Sequence, residues 1–186
     1  MHSSIKMVIA VGVAASVLAV PSVAHAEERT CRGTLGAVTV DNLRVPDNAT
    51  CTLQGTRVKG TIKVESNAQL TATSVNVVGN VQGENFRAVK LTRSTVGGSV
   101  QLVQGGTATI QGNKIEGTLL FDDNGGRIVA GNNTIDSDLQ AFQNTGGVQV
   151  KSNRIDGNLQ CKENRPAPTG GANIVQGNKE DQCSRL

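Results

Sequence analysis

Glu116, Asp136 and Asp156 recur at a step of 20 residues, each directly after an isoleucine, with Asp138 beside the second of them. A fixed step brings such acids together only if the chain winds back on itself once per step. Carboxylates gathered that way suit three ends. They can hold a hard, oxygen-liganded cation, here calcium on Glu116, Asp136, Asp138 and Asp156. They can move protons at a substrate bond. Or they can form a surface ladder balanced by basic residues. Like charges about 5 Å apart repel by roughly 1–3 kcal/mol per pair, so the ladder needs cations. Lys114 and Arg154 lie two residues before Glu116 and Asp156 and meet that need.

Other chemistry is narrowed by composition. The two histidines are His2 and His25. Both fall in a segment, 1–26, that reads as a secretory signal peptide. It has a lysine-bearing start, an apolar run over Met7–Val20, and a small–x–small site at Ala24-His25-Ala26. The mature chain therefore lacks the histidine that Ser–His–Asp, Cys–His and His-bearing zinc sites require. The apolar run is shorter than the ~18 residues of a membrane-span candidate, and none follows, so no membrane is expected after cleavage. Formal net charge is +3, with basic residues scattered along the chain, no Trp or Tyr and three Phe. Neither an electrostatic nor a stacking case for nucleic acid exists.

The elements that must position the acids repeat at the same step. The phrase apolar–x–Gly–polar–apolar begins at Val58, Val77, Val96, Ile115, Ile135 and Ile155, with Ser137 in place of glycine once, and fades at Val175. Each phrase opens a coil. Period-two alternation then points two columns inward: Ile62, Val81, Val100, Leu119, Leu139, Leu159 and Val64, Gly83, Leu102, Phe121, Ala141, Cys161. A further strand follows, as in Leu70-x-Ala72 and Val148-x-Val150, and the opening Val or Ile supplies a third inward side. No stretch of the mature chain carries a 3.6-residue apolar period. The expectation is an all-β, right-handed parallel β-helix of about seven coils, with three short strands per coil of 19–20 residues. Steps of 19 and 20 without a hexapeptide phrase favour that hand.

Asn113, Asn133, Asn153 and Asn173 share the step of 20 and are expected to stack as a structural ladder in one turn. Four cysteines in an exported chain are expected to be oxidised. Stacking at ~4.8 Å per coil puts Cys51 and Cys161 roughly 25 Å apart, beyond the ~7 Å reach of a disulfide. The expected pairs are Cys31–Cys51 and Cys161–Cys183. Residues 27–41 do not fit the coil register and read as an irregular cap. Residues 42–161 are the repeats. Residues 162–186 are the last coil, lengthened by a Pro-rich loop, and the second cap.

The phrase Gly112-Asn113-Lys114-Ile115 resembles the turns of right-handed parallel β-helix proteins, over about Asn42 to Asn178. Asn158-Leu159-Gln160-Cys161, Pro166-Ala167-Pro168-Thr169-Gly170 and the ending Gly177-Asn178-Lys179-Glu180-Asp181-Gln182-Cys183 resemble a group of small secreted bacterial β-helix repeat proteins of unknown function. That resemblance implies a fold and an extracellular compartment, and no activity. β-Helix polysaccharide lyases and hydrolases act with acid clusters on a strand face, often with calcium and a basic residue. By that likeness Asp136, Asp138, Asp156 and Arg154 form the catalytic alternative.

The outward residues of the first strand read as a neutral face. Its columns are Thr61, Asn80, Ser99, Thr118, Asp138, Asn158 and Lys63, Gln82, Gln101, Leu120, Gln140, Gln160. Such a face either bonds to itself or offers a polar groove to a glycan. The leading expectation is a monomeric, non-enzymatic, secreted scaffold or cell-envelope interaction module. Its candidate partners are a cell-wall glycan or a surface protein, and calcium is the one cofactor left open. The alternative is a polysaccharide lyase or hydrolase, calcium-dependent in one version.

Overall fold

The computed structural model describes residues 27–186, so the expected signal peptide at 1–26 lies outside the described residues. Twenty-five strands and no helix are found among the described residues. Three strands make one turn. In the first turn they are β1 (Glu28–Thr30), β2 (Gly33–Leu35) and β3 (Thr39–Val40), and in the second β4 (Asn42–Val45), β5 (Thr50–Gln54) and β6 (Arg57–Val58). Each strand pairs in parallel with its counterpart one turn on. The result is a parallel β-solenoid of about eight turns, with a nine-stranded first sheet and two eight-stranded sheets.

The interior is the set of columns that alternation points inward. Ile62, Val81, Val100, Leu119, Leu139 and Leu159 have no exposed surface, and Val58, Val77, Val96, Ile115, Ile135 and Ile155 are buried on the third sheet. Burying each large aliphatic contributes about 1.5–3 kcal/mol, and only stacking achieves it, because one coil has no second layer to cover it.

Corners are made by two devices. Between the first and second sheets, Asn48, Asn67, Asn85, Gln104, Asp123, Gln143 and Glu163 hold positive φ of 51–61°. The second-to-third corner repeats this at Gly55, Ser74, Arg93, Gly112, Asn132, Ser152 and Ala172. At the third corner the glycine of the repeated phrase permits close stacking. A Cβ on Gly79 would lie 2.7 Å from the Gly60 carbonyl oxygen, and one on Gly98 would lie 2.9 Å from that of Gly79.

Two expectations about the ends are corrected. Residues 27–41 form a full coil: Glu28 lies opposite Asn42, Gly33 opposite Cys51 and Thr39 opposite Arg57. The first of those steps is short, so the repeated phrase is absent although the strand pairing is not. The extra turn raises the count from about seven to about eight. The Pro-rich segment does not lengthen the last coil, since Gln149 still faces Thr169 and Leu159 still faces Lys179 at the ordinary step of 20. The disulfides join Cys31 to Cys51 and Cys161 to Cys183, with Cα separations of 5.6 and 5.3 Å. Each ties a terminal segment to the neighbouring coil.

Candidate functional site

Glu116, Asp136 and Asp156 stand at the ends of third-sheet strands on three successive coils, where parallel pairing sets Ile115, Ile135 and Ile155 opposite one another. Their side chains point to solvent, and basic residues intervene. Lys114 Nζ lies 3.2 Å from Glu116 Oε1 and 3.7 Å from Asp136 Oδ2, and Arg154 Nε lies 3.9 Å from Asp156 Oδ1. Gln176 Nε2 donates to Asp156 Oδ1 at 3.1 Å. The hydrogen bond to Glu116, then the charges of Glu116 and Asp136, hold the Lys114 ammonium above the usual lysine range. These groups are solvated, and isolated ion pairs of this kind contribute little to stability.

Asp138 belongs elsewhere. Its Oδ1 accepts the Asn158 backbone N–H at 2.7 Å, within a series of third-corner acceptors. Asn42 Oδ1 takes the Thr61 N–H at 2.9 Å, Asn80 Oδ1 that of Ser99 at 2.8 Å, Ser99 Oγ that of Thr118 at 3.1 Å and Asn158 Oδ1 that of Asn178 at 2.8 Å. The column expected on the outer strand face is thus a corner ladder joining each coil to the next. No three His, Cys, Asp or Glu side chains among the described residues converge to hold a metal ion. With Lys114 and Arg154 among the acids and Asp138 engaged with backbone, these residues do not fit calcium. Glu116 and Asp136 share the Lys114 ammonium, and Asp156 is held by Arg154 and Gln176.

The expected asparagine positions form a buried ladder. Asn113, Asn133 and Asn153 each donate Nδ2 to the Oδ1 of the next asparagine at 3.0 Å, and each also donates to a core carbonyl, of Leu91, Ile110 and Ala130. The Oδ1 atoms of Asn133, Asn153 and Asn173 each receive both the amide group and the backbone N–H of the preceding asparagine, and that of Asn113 receives the Ser94 N–H. A second buried ladder, missed in the sequence, occupies the first corner: Asn124, Asn144 and Asn164, closed by Gln182. Its signal was present in Asp123-Asn124, Gln143-Asn144 and Glu163-Asn164 at steps of 20. In both ladders a positive-φ residue immediately precedes the asparagine.

The remaining outward column of the first sheet bonds to itself. Gln82 donates to Gln101 at 3.2 Å, Gln140 to Gln160 at 2.8 Å and Gln160 to Glu180 at 2.9 Å, with Leu120 as the interruption. Over the earlier coils the same face dips into an open groove of about 840 Å³, walled by the first corner at Asp47, Ser66 and Asn85. Glu65 and Glu84 line it, with Arg44 reaching Glu65 at 3.4 Å and Glu28 at 2.8 Å. Sequence periodicity gave no sign of this groove, which the first-sheet face and the first corner line together.

Comparison with known proteins returned no matching family model, no matching curated protein and no matching solved structure. No helix among the described residues is long and apolar enough to cross a membrane. Two disulfides are compatible with an extracellular protein.

Proposed function

We propose that this protein is a secreted, non-enzymatic β-solenoid scaffold whose first sheet serves as an interaction face toward the cell envelope. The observation that carries the reading is the use made of the polar side chains. At the corners and on the first-sheet face, asparagines, glutamines and Asp138 bond one coil to the next. The acids on the third sheet are ion-paired in solvent. An open groove of about 840 Å³ on the first sheet is available to a partner. Partner classes that suit it are a cell-wall glycan or a surface protein.

Two assays together test this. The protein is incubated with acidic and neutral polysaccharides, with and without calcium, and its retention on isolated cell wall is measured. Retention without release of unsaturated or reducing ends is expected. Release of such ends, lost in an Asp136→Ala variant, contradicts the reading in favour of a lyase or hydrolase. Calcium is expected to leave the melting temperature unchanged.

A further inference from the structure

We propose that the groove on the first sheet binds an extended cationic peptide segment of a partner protein. This rests on the interaction-face reading above and names its occupant. Charge favours a cation in the groove. Three carboxylates line the groove, Asp47, Glu65 and Glu84, against a single lysine, Lys63, in a chain of formal net charge +3. Two of the carboxylates are already engaged. Asp47 accepts the Ser66 N–H at 3.0 Å, and Glu65 is shared with Arg44. Glu84 has no ion-pair or hydrogen-bond partner among the described residues. It follows Gly83 as Glu65 follows Val64, and Val64 and Gly83 are register partners. The two residues therefore stand on adjacent coils, their backbones about one strand spacing of ~4.8 Å apart. Like charges so placed destabilise a sheet, and an incoming ammonium or guanidinium relieves the repulsion.

The rest of the lining suits a peptide. Leu120 and Val103 give the groove an aliphatic patch, and Gln82 and Gln101 present side-chain amides beside it. Sugars favour aromatic platforms, and the chain has no Trp or Tyr. A peptide supplies the complementary groups at once: a cation for Glu84, apolar side chains for Leu120, and backbone N–H and C=O groups for the glutamine atoms left outside the Gln82–Gln101 bond.

The test is calorimetric titration of the protein with an alternating lysine–leucine hexapeptide blocked at both ends. Saturable binding is expected, while the matching glutamate–leucine hexapeptide does not bind. Glu84→Gln is expected to weaken binding by about threefold to fivefold, the range of an exposed ion pair. Leu120→Lys is expected to weaken it by about tenfold, because it adds a like charge and removes apolar contact. That variant should fold, since Lys63 already occupies the same outward column; if it does not, Glu84→Gln decides alone. Asp136→Asn, on the third sheet, should leave binding unchanged. No saturable binding, equal binding of both peptides, or equal weakening by Asp136→Asn overturns the inference. Retention on cell wall without peptide binding defeats this inference alone. Loss of both defeats the broader reading as well.

Discussion

The early and late coils close the same corners by different means. At the first corner the inward position is held by Ala49, Ala68 and Phe86 in the early coils, and by Asn124, Asn144 and Asn164 in the late ones. At the second corner Thr56, Val75 and Ser94 give way to Asn113, Asn133, Asn153 and Asn173. The step changes with the filling. Val89 faces Ala108 nineteen residues on, whereas Ala108 faces Ile128 twenty residues on. Gly105 and Asn124 remain nineteen apart, so the added residue lies just after Asn124.

One backbone path thus tolerates two chemistries. An apolar corner removes hydrocarbon from water and leaves nearby carbonyls to other partners. An amide corner fills the same space and satisfies the Leu102, Phe121 and Ala141 carbonyls directly. Gly83, the counterpart of Leu102 one coil earlier, packs against Phe86, and Val64 and Gly83 border the open groove.

The sharpest way to break this comparison is to exchange the fillings. Asn144→Leu removes the acceptor of the Asn124 backbone N–H and of one of its two amide N–H groups, and takes a donor from the Phe121 carbonyl. With about 1–3 kcal/mol for each buried unsatisfied group, urea denaturation should show a loss of about 3–5 kcal/mol. A loss below about 1 kcal/mol would mean that the ladder does not hold the late coils together.

Phe86→Ala probes the early coils. The ring sits between Gly83 and Gly105, where an added Cβ would approach it to 3.0 Å or closer. Neither glycine can fill the space vacated, so a loss of about 3 kcal/mol is expected by the same measurement. Replacing both Cys31 and Cys51 by serine should cost about 3 kcal/mol, since a loop of this size is released in the unfolded chain. The change should loosen exchange protection in the first coils before the asparagine-laddered ones. The smallest expected effect is a gain. Arg93 holds a φ of 50° at the second corner, a position where the early coils have no asparagine. Arg93→Gly should raise the unfolding free energy by about 0.5–1 kcal/mol as left-handed strain is relieved.

Much of the fold could be read from the chain because a solenoid maps sequence period directly onto space. Ile62, Val81 and Val100 reveal their own stacking, and Cys31, Cys51, Cys161 and Cys183 follow from the coil rise. What escaped reading was set by local departures from the period. The first coil hid because its opening turn is short, although Glu28 and Asn42 are paired like any others. The second asparagine ladder hid in segments that resemble plain turns, such as Asp123-Asn124-Gly125-Gly126. Asp138 looked like a neighbour of Asp136 because alternation shows which side a residue takes, and not whether a corner backbone N–H waits for it. The groove at Glu65 and Glu84 is lined jointly by the sheet face and the first corner, a relation that residue spacing does not encode.

Buried side-chain amides bond coil to coil through the late half of the molecule. Hydrogen exchange of side-chain amides, followed by NMR in the folded protein, tests it most directly. The amide protons of Asn133 and Asn144 should exchange far more slowly than those of Gln82 or Gln140, which bond on an open face. Exchange of the Asn144 amide as fast as that of Gln82 would contradict the account.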